Sequence, residues 1–145
     1  MPTPIKAGPT NASAPGRASA PAAGPGVLAT VACAWFVPGG GHFLHGQARK
    51  GAIFAVVLFA MFAIGIASRG RLFPFDTSEP LVLLAAASEW MMGLPRLAAA
   101  IGGWGAGQVT AISYEYGNTF LITAGLLNVL VTFDAFDRAT GRKAR

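Results

Sequence analysis

Residues 51–68 read GAIFAVVLFAMFAIGIAS, 18 consecutive positions without a charge and without a proline. A helix of this length measures roughly 27 Å at about 1.5 Å per residue, close to the hydrocarbon thickness of a bilayer. Arg49 and Lys50 precede the run and Arg69 and Arg71 follow it. Their long stems reach headgroups from either end and fix the depth of such a helix, and Gly70 is the expected C-cap. This stretch predicts a membrane-spanning helix and sets the class to all-α, because a chain that crosses lipid must satisfy its backbone within each segment.

Composition agrees. Of the 145 residues, 53% are hydrophobic and 12% charged, against roughly 25% charged in soluble domains. A net charge of +5 raises the question of nucleic acid. The basic residues, however, occur singly or in pairs that bracket apolar runs instead of forming a patch, so nucleic acid is not an expected partner. The single Cys33 excludes an intramolecular disulfide and sits among small apolar residues, as a packing residue does.

Working outward, residues 1–26 consist almost wholly of Pro, Ala, Gly, Ser and Thr and are expected to form a disordered tail, having too little apolar surface to offset the entropy of ordering. The expected helical membrane domain covers 27–138, with segments at about 27–45, 51–68, 81–101 and 119–136, and residues 139–145 form a basic tail. Val27 to Val37 is taken as a membrane-embedded segment, since further apolar runs follow it, and not as a cleaved signal. Ser78 is placed to cap a helix entered through Glu79 and Pro80. Pro95 should kink the third segment about one turn upstream. Gly102 to Asn118 reads as a Gly-rich connection, and the small-residue spacing Ala99, Gly103, Gly107 as a weak association signal. In the last segment Asp134 and Arg138 are an i, i+4 pair, and Gly141 is the expected C-cap.

The expectation is therefore a polytopic integral membrane protein with about four membrane-embedded helices, the first short and broken at Pro38-Gly41. Its expected location is the cell (inner) membrane, with a cytoplasmic C-terminus because four basic residues cluster there. Two threadings fit the charges. Four full spans put Arg69 and Arg71 on the side of the C-terminus and Arg49 and Lys50 opposite. If residues 27–44 dip in and return, and 81–101 does not cross, the assignments exchange. We favour four embedded segments.

Residues 34–46, AWFVPGGGHFLHG, interrupt an apolar segment with one proline and a run of glycines. Irregular backbone at membrane depth survives only where protein or water satisfies its freed polar groups, so this segment should pack on other helices. Gly41, Gly46 and Gly51 are the positions expected to permit close approach. Pro38, Gly39, Gly41, His42, Gly46, Lys50 and Gly51 make the pattern Pro-Gly-x-Gly-His, then Gly, then a basic residue and Gly. Further on come Tyr114-Glu115-Tyr116-Gly117, Ala124-Gly125-Leu126-Leu127-Asn128, Asp134-Ala135-Phe136-Asp137 and Gly141-Arg142-Lys143. In these two blocks, about half of the chain, the sequence resembles a group of small uncharacterised bacterial membrane proteins, similar in style to the two-transmembrane-helix domain proteins. The resemblance implies a multi-span membrane protein and brings no catalytic residues.

The remaining polar residues were weighed for chemistry. His42 and His45, with Glu89 or Asp134 and Asp137, have the residue types of a metal site, although two histidines near an interface more often bond loop carbonyls. No zinc-protease, nucleophile-elbow or phosphate-loop pattern accompanies them, so no catalytic residue, metal ligand or cofactor is assigned. Glu89 is the costliest residue to place in lipid and is expected either to be neutralised by Arg96 or to lie in a segment at an interface. Asn128 reads as interhelical glue. The leading expectation is a non-enzymatic accessory or scaffolding component of a membrane assembly, its partners being the bilayer and either another membrane protein or a second copy. The alternatives are a membrane-embedded metal-dependent enzyme using His42, His45 and a carboxylate, or a small channel or transporter subunit using Glu89 and Asn128.

Overall fold

The computed structural model describes residues 25–142, so most of the expected disordered tail, and Lys143 to Arg145 of the basic tail, lie outside the described residues. Six helices follow one another: α1 (Val27–Phe36), α2 (Gly40–Leu44), α3 (Ala48–Ala67), α4 (Pro80–Trp90), α5 (Leu94–Ile101) and α6 (Tyr114–Ala139). Among the described residues there is no strand, only an isolated antiparallel bridge between Arg71 and Ala106.

Two helices, α3 and α6, are long and apolar enough to cross a membrane. The expected span at 51–68 begins three residues earlier, at Ala48. The last span begins at Tyr114 instead of Thr119, so the end of the Gly-rich connection is helical. Helix α6 closes as expected: Gly141 adopts φ +73°, its amide donates to the Arg138 carbonyl at 3.1 Å, and the Arg142 amide donates to that of Asp137 at 2.9 Å. These are the two bonds of a Schellman ending, and the left-handed φ is one that glycine adopts without a Cβ penalty. At the end of α3 the left-handed residue is Arg69, φ +64°. The expected Gly70 cap is thus displaced by one residue, and Gly70 instead lies against Gly117.

Helix α6 is the post of the fold, packed by α1, α2, α3 and α4. Its contact with α3 is antiparallel. At one end Lys50 meets Asp134; at the other, a Cβ on Gly65 would lie 2.7 Å from Leu121 Cγ and 3.0 Å from the Gly117 carbonyl. Leu58, Phe62, Leu121 and Val131 fill the seam between them. Antiparallel α3 and α6 put Arg49 and Lys50 at the end where the chain terminates, and Arg69 and Arg71 at the other. A threading by four full spans would instead require these two helices to run parallel.

The third expected segment, 81–101, does not run straight through. Helices α4 and α5 meet at a bend of 107°. Pro95 lies in the first turn of α5, where its missing amide proton costs no helical hydrogen bond. Gly93 takes φ +58° and ψ −115°, a conformation confined to glycine by the absence of a Cβ. The flanks of the pair are tied together. The Leu72 amide donates to the Gly105 carbonyl at 2.8 Å and the Gln108 amide to Arg69 at 3.1 Å. The chain that leaves α3 and the chain that enters α6 therefore sit side by side, and everything between them departs from and returns to one end of the bundle. Ser78 does not cap α4. Its hydroxyl and amide both donate to the Asp76 carboxylate, which holds that carboxyl below its ordinary range, and Glu79 occupies the cap position without a side-chain bond.

The first segment breaks where expected. Residues 37–39 separate α1 from α2, although Gly40 and Gly41 are already helical. Gly39 at φ +80° turns the chain so tightly against α3 that a Cβ there would lie 2.3 Å from the Gly51 carbonyl. Gly41 packs against Ala34 and Ala135, as expected of a close-approach residue, but a Cβ on Gly46 would meet nothing within 4 Å; its φ of +71° serves the turn into α3. The small-residue spacing Ala99, Gly103, Gly107 forms no helix face: Ala99 is buried, a Cβ on Gly103 would meet nothing within 4 Å, and Gly107 abuts Arg71.

Among the described glycines the tightest approach is α4 on α6, where a Cβ on Gly125 would lie 1.8 Å from the Ser88 carbonyl oxygen. Gly125→Ala is expected to destabilise the protein by about 1–3 kcal/mol, the range for overpacking. Gly26→Ala, where an added Cβ would meet nothing within 4 Å, should cost less, its effect being confined to the N-cap of α1. Thermal unfolding in mild detergent compares the two, and equal midpoints would refute this packing.

Candidate functional site

The sequence blocks around residues 38–51 and 134–137 converge on one carboxylate. The turn at Gly39 and the single turn of α2 deliver His42, whose side chain is fully buried, to α6; its Nε2 lies 2.7 Å from Asp134 Oδ2. The first turn of α3 brings Lys50 Nζ to 2.5 Å from the same oxygen, and one helical turn along α6 Arg138 Nε stands 3.6 Å away. Phe54 backs the cluster, with the His42 ring edge-on at 5.2 Å between centroids and Lys50 Nζ 5.5 Å above its face. One carboxylate thus gathers hydrogen-bond donors from α2 and α3 and an ion-pair partner from α6, and charge-assisted bonds of this kind are about twice as strong as neutral ones.

This geometry limits the chemistry. With Nε2 donating to Asp134, a neutral His42 presents Nδ1 as an acceptor, and that atom is buried with no hydrogen-bond partner. His45 does not join the cluster; its Nε2 lies 3.1 Å from Thr30 Oγ1. Among the described residues no group of three or more His, Cys, Asp and Glu side chains is close enough to hold a metal ion. Asp137 supplies its carbonyl to the end of α6.

Glu89 and Asn128 belong to two further clusters. Glu89 is fully buried, and its Oε2 accepts the Phe73 amide at 2.9 Å. Arg96, the partner expected from the sequence, holds Nε 3.9 Å from that oxygen, donates through Nη2 to the Phe73 carbonyl at 3.3 Å, and lies over Trp90 at 5.0 Å. The two side chains together clamp the backbone of one residue, Phe73, in the connection after α3. Asn128 donates to the Met91 carbonyl at 2.6 Å, and the same Nδ2 lies 3.4 Å from the carbonyls of Ala34 and Trp35.

Several contributors are invisible to sequence inspection. Trp35 Nε1 donates to the Trp90 carbonyl at 3.0 Å, and Asn118 Oδ1 accepts the Arg71 amide at 2.8 Å. Neither belongs to a local pattern, since each pair is far apart in the chain. The one available signal was chemical: a tryptophan or an asparagine within an apolar run needs a hydrogen-bond partner.

Residues 29–144 match a family described as a family of unknown function, DUF6677, and the chain belongs to that family. No significant match is found among curated proteins or among solved structures.

If Asp134 is the hub of its cluster, Asp134→Ala should lower stability by about 3 kcal/mol, as removing one partner of a largely buried ion pair does. Lys50→Ala should then add less than about 0.5 kcal/mol in the Asp134→Ala background, its partner having gone, while costing more on its own. A double-mutant cycle by unfolding in detergent measures this, and strictly additive losses would dissolve the hub.

Proposed function

We propose that this protein is a non-enzymatic integral membrane protein, an accessory or scaffolding component of a membrane assembly. Helices α3 and α6 are its two antiparallel spans, while α1–α2 and α4–α5 enter from opposite faces and turn back inside. The observation that carries the reading is a division of labour among side chains. The polar residues of the interior are spent on links between segments, and the outward faces of both long helices are apolar. Val56 on α3 is 69% exposed, and Leu130 and Phe133 on α6 are 62% and 61% exposed. Water would penalise such a surface, and a soluble monomer rarely carries one of this extent; lipid tails or partner helices accept it.

Helix contacts made through Gly and Ala support the same environment. Where lipid removes the hydrophobic drive between helices, small residues let backbones approach and dispersion does the rest. Charge supports an orientation. Arg49, Lys50, Arg138 and Arg142 share the end where the chain terminates, and Lys143 and Arg145 follow directly in the sequence. Arg69 and Arg71 lie at the other end, where Glu115 opens α6, and Asp76 and Glu79 follow them in the connection after α3. By the bias of cytoplasmic loops toward Lys and Arg, the Lys50 end lies in the cytoplasm of the cell (inner) membrane.

Two measurements test this. In a Cys33→Ala background, Ala48→Cys and Ala144→Cys are expected to react with an impermeant maleimide only from the cytoplasmic side, and Phe75→Cys and Thr110→Cys only from the other; labelling of all four from one side would refute the two-span arrangement. Extraction in native nanodiscs should retrieve a stoichiometric partner or a homo-oligomer. A lone monomer in every lipid condition would count against a scaffolding role.

A further inference from the structure

Two cavities share Lys50. One, of about 340 Å³, is a groove between α3 and α6 walled by Phe54, Val57, Leu58, Leu127, Leu130 and Val131, with Lys50 and Asp134 at its head. The other, of about 470 Å³, is lined by Arg49, Lys50, Ile53 and Arg138 together with the turn at residues 46–48. Each falls in the range of about 300–1,000 Å³ typical of small-ligand sites. Both are walled mainly by apolar surface, and the second counts three cationic residues in its lining, Arg49, Lys50 and Arg138.

We propose that these two cavities form one site for an anionic diacyl phospholipid, its phosphate among Arg49, Lys50 and Arg138 and one acyl chain along the α3–α6 groove. The proposal rests on the membrane reading above and adds a ligand to it. Charge complementarity carries it. Three cations surround the basic cavity, and the one carboxylate between them, Asp134, is shared among His42, Lys50 and Arg138. The cluster keeps a positive excess, and Arg138 Nε is buried without a hydrogen bond. The start of α3 adds to the field, because Gln47 at its N-cap makes no side-chain bond and the first amides of a helix favour an anion.

A zwitterionic lipid would bring its own cation into this basic cavity, and a free phosphate would leave the groove unfilled. The site also lies at the end predicted to face the cytoplasm, whose leaflet carries anionic lipids.

The test is a native mass spectrometry titration of the full chain in mild detergent with phosphatidylglycerol, phosphatidylcholine and glycerol 3-phosphate as separate probes. Arg49 is exposed and Val57 is 47% exposed, so Arg49→Gln and Val57→Trp alter the site with little risk to the fold, which unfolding midpoints verify. Phosphatidylglycerol is expected to bind about tenfold tighter than phosphatidylcholine, and Arg49→Gln to weaken it about fivefold, the effect of one basic residue at a membrane surface. Val57→Trp should weaken both lipids while leaving their ratio intact. Equal affinity for the two lipids, indifference to both variants, or glycerol 3-phosphate binding as tightly as the intact lipid would each overturn the proposal. Failure of the membrane reading itself looks different: the protein would be recovered monodisperse in buffer without detergent.

Discussion

A helix that stops inside a protein leaves its last carbonyls without amide partners, and in apolar surroundings each unpaired group costs several kcal/mol. Two helices of this chain stop in that way. Helix α1 ends at Phe36 and α4 at Trp90, and their ends meet beside the middle of α6. Asn128 answers both, with one amide nitrogen 2.6 Å from the Met91 carbonyl and 3.4 Å from those of Ala34 and Trp35. Trp35 adds a bond of its own to the Trp90 carbonyl. The rest of the architecture depends on this junction, because neither broken segment could end at that depth without it.

From the junction the two broken segments run to opposite ends of the bundle, and each is fastened by one buried ionisable cluster. At the Lys50 end, His42, Lys50 and Arg138 converge on Asp134, locking α2 and the start of α3 onto α6. At the other end, Glu89 and Arg96 grip the amide and the carbonyl of Phe73 and hold the connection after α3 against α4. Both clusters hold irregular backbone in place through a carboxylate. The Asp134 cluster also borders open space, in the apolar groove below it and the basic cavity beside it, which is why it is the one to which a ligand is assigned.

Much of the fold was legible in the residues. The two long helices, the break near Pro38, the bend before Pro95, the Gly141 ending, the Asp134–Arg138 pair and the offset of Glu89 by Arg96 follow from local rules of length, proline chemistry and helical spacing. The errors have local causes as well. Ser78 was expected to cap α4, but Asp76, two residues away, competes for its hydroxyl. Gly46 was read as a packing residue and is a turn residue, because a glycine required for positive φ looks the same in sequence as one required for close contact. The convergence of His42 and Lys50 on Asp134 joins residues 84 and 92 positions apart, and no periodicity spans such a distance.

What the sequence determined by itself was the class: uncharged runs of this length can bury their backbone only as helices, and basic residues must collect at their ends. What the tertiary structure alone decided was how the helices run relative to one another. An apolar segment of about 20 residues carries the same composition whether it crosses or bends back, and the flanking charges admitted both arrangements. The choice was made by contacts between distant residues: the bridge of Arg71 with Ala106, which returns α4–α5 to the end from which it came, and the pairing of Lys50 with Asp134, which makes α3 and α6 antiparallel.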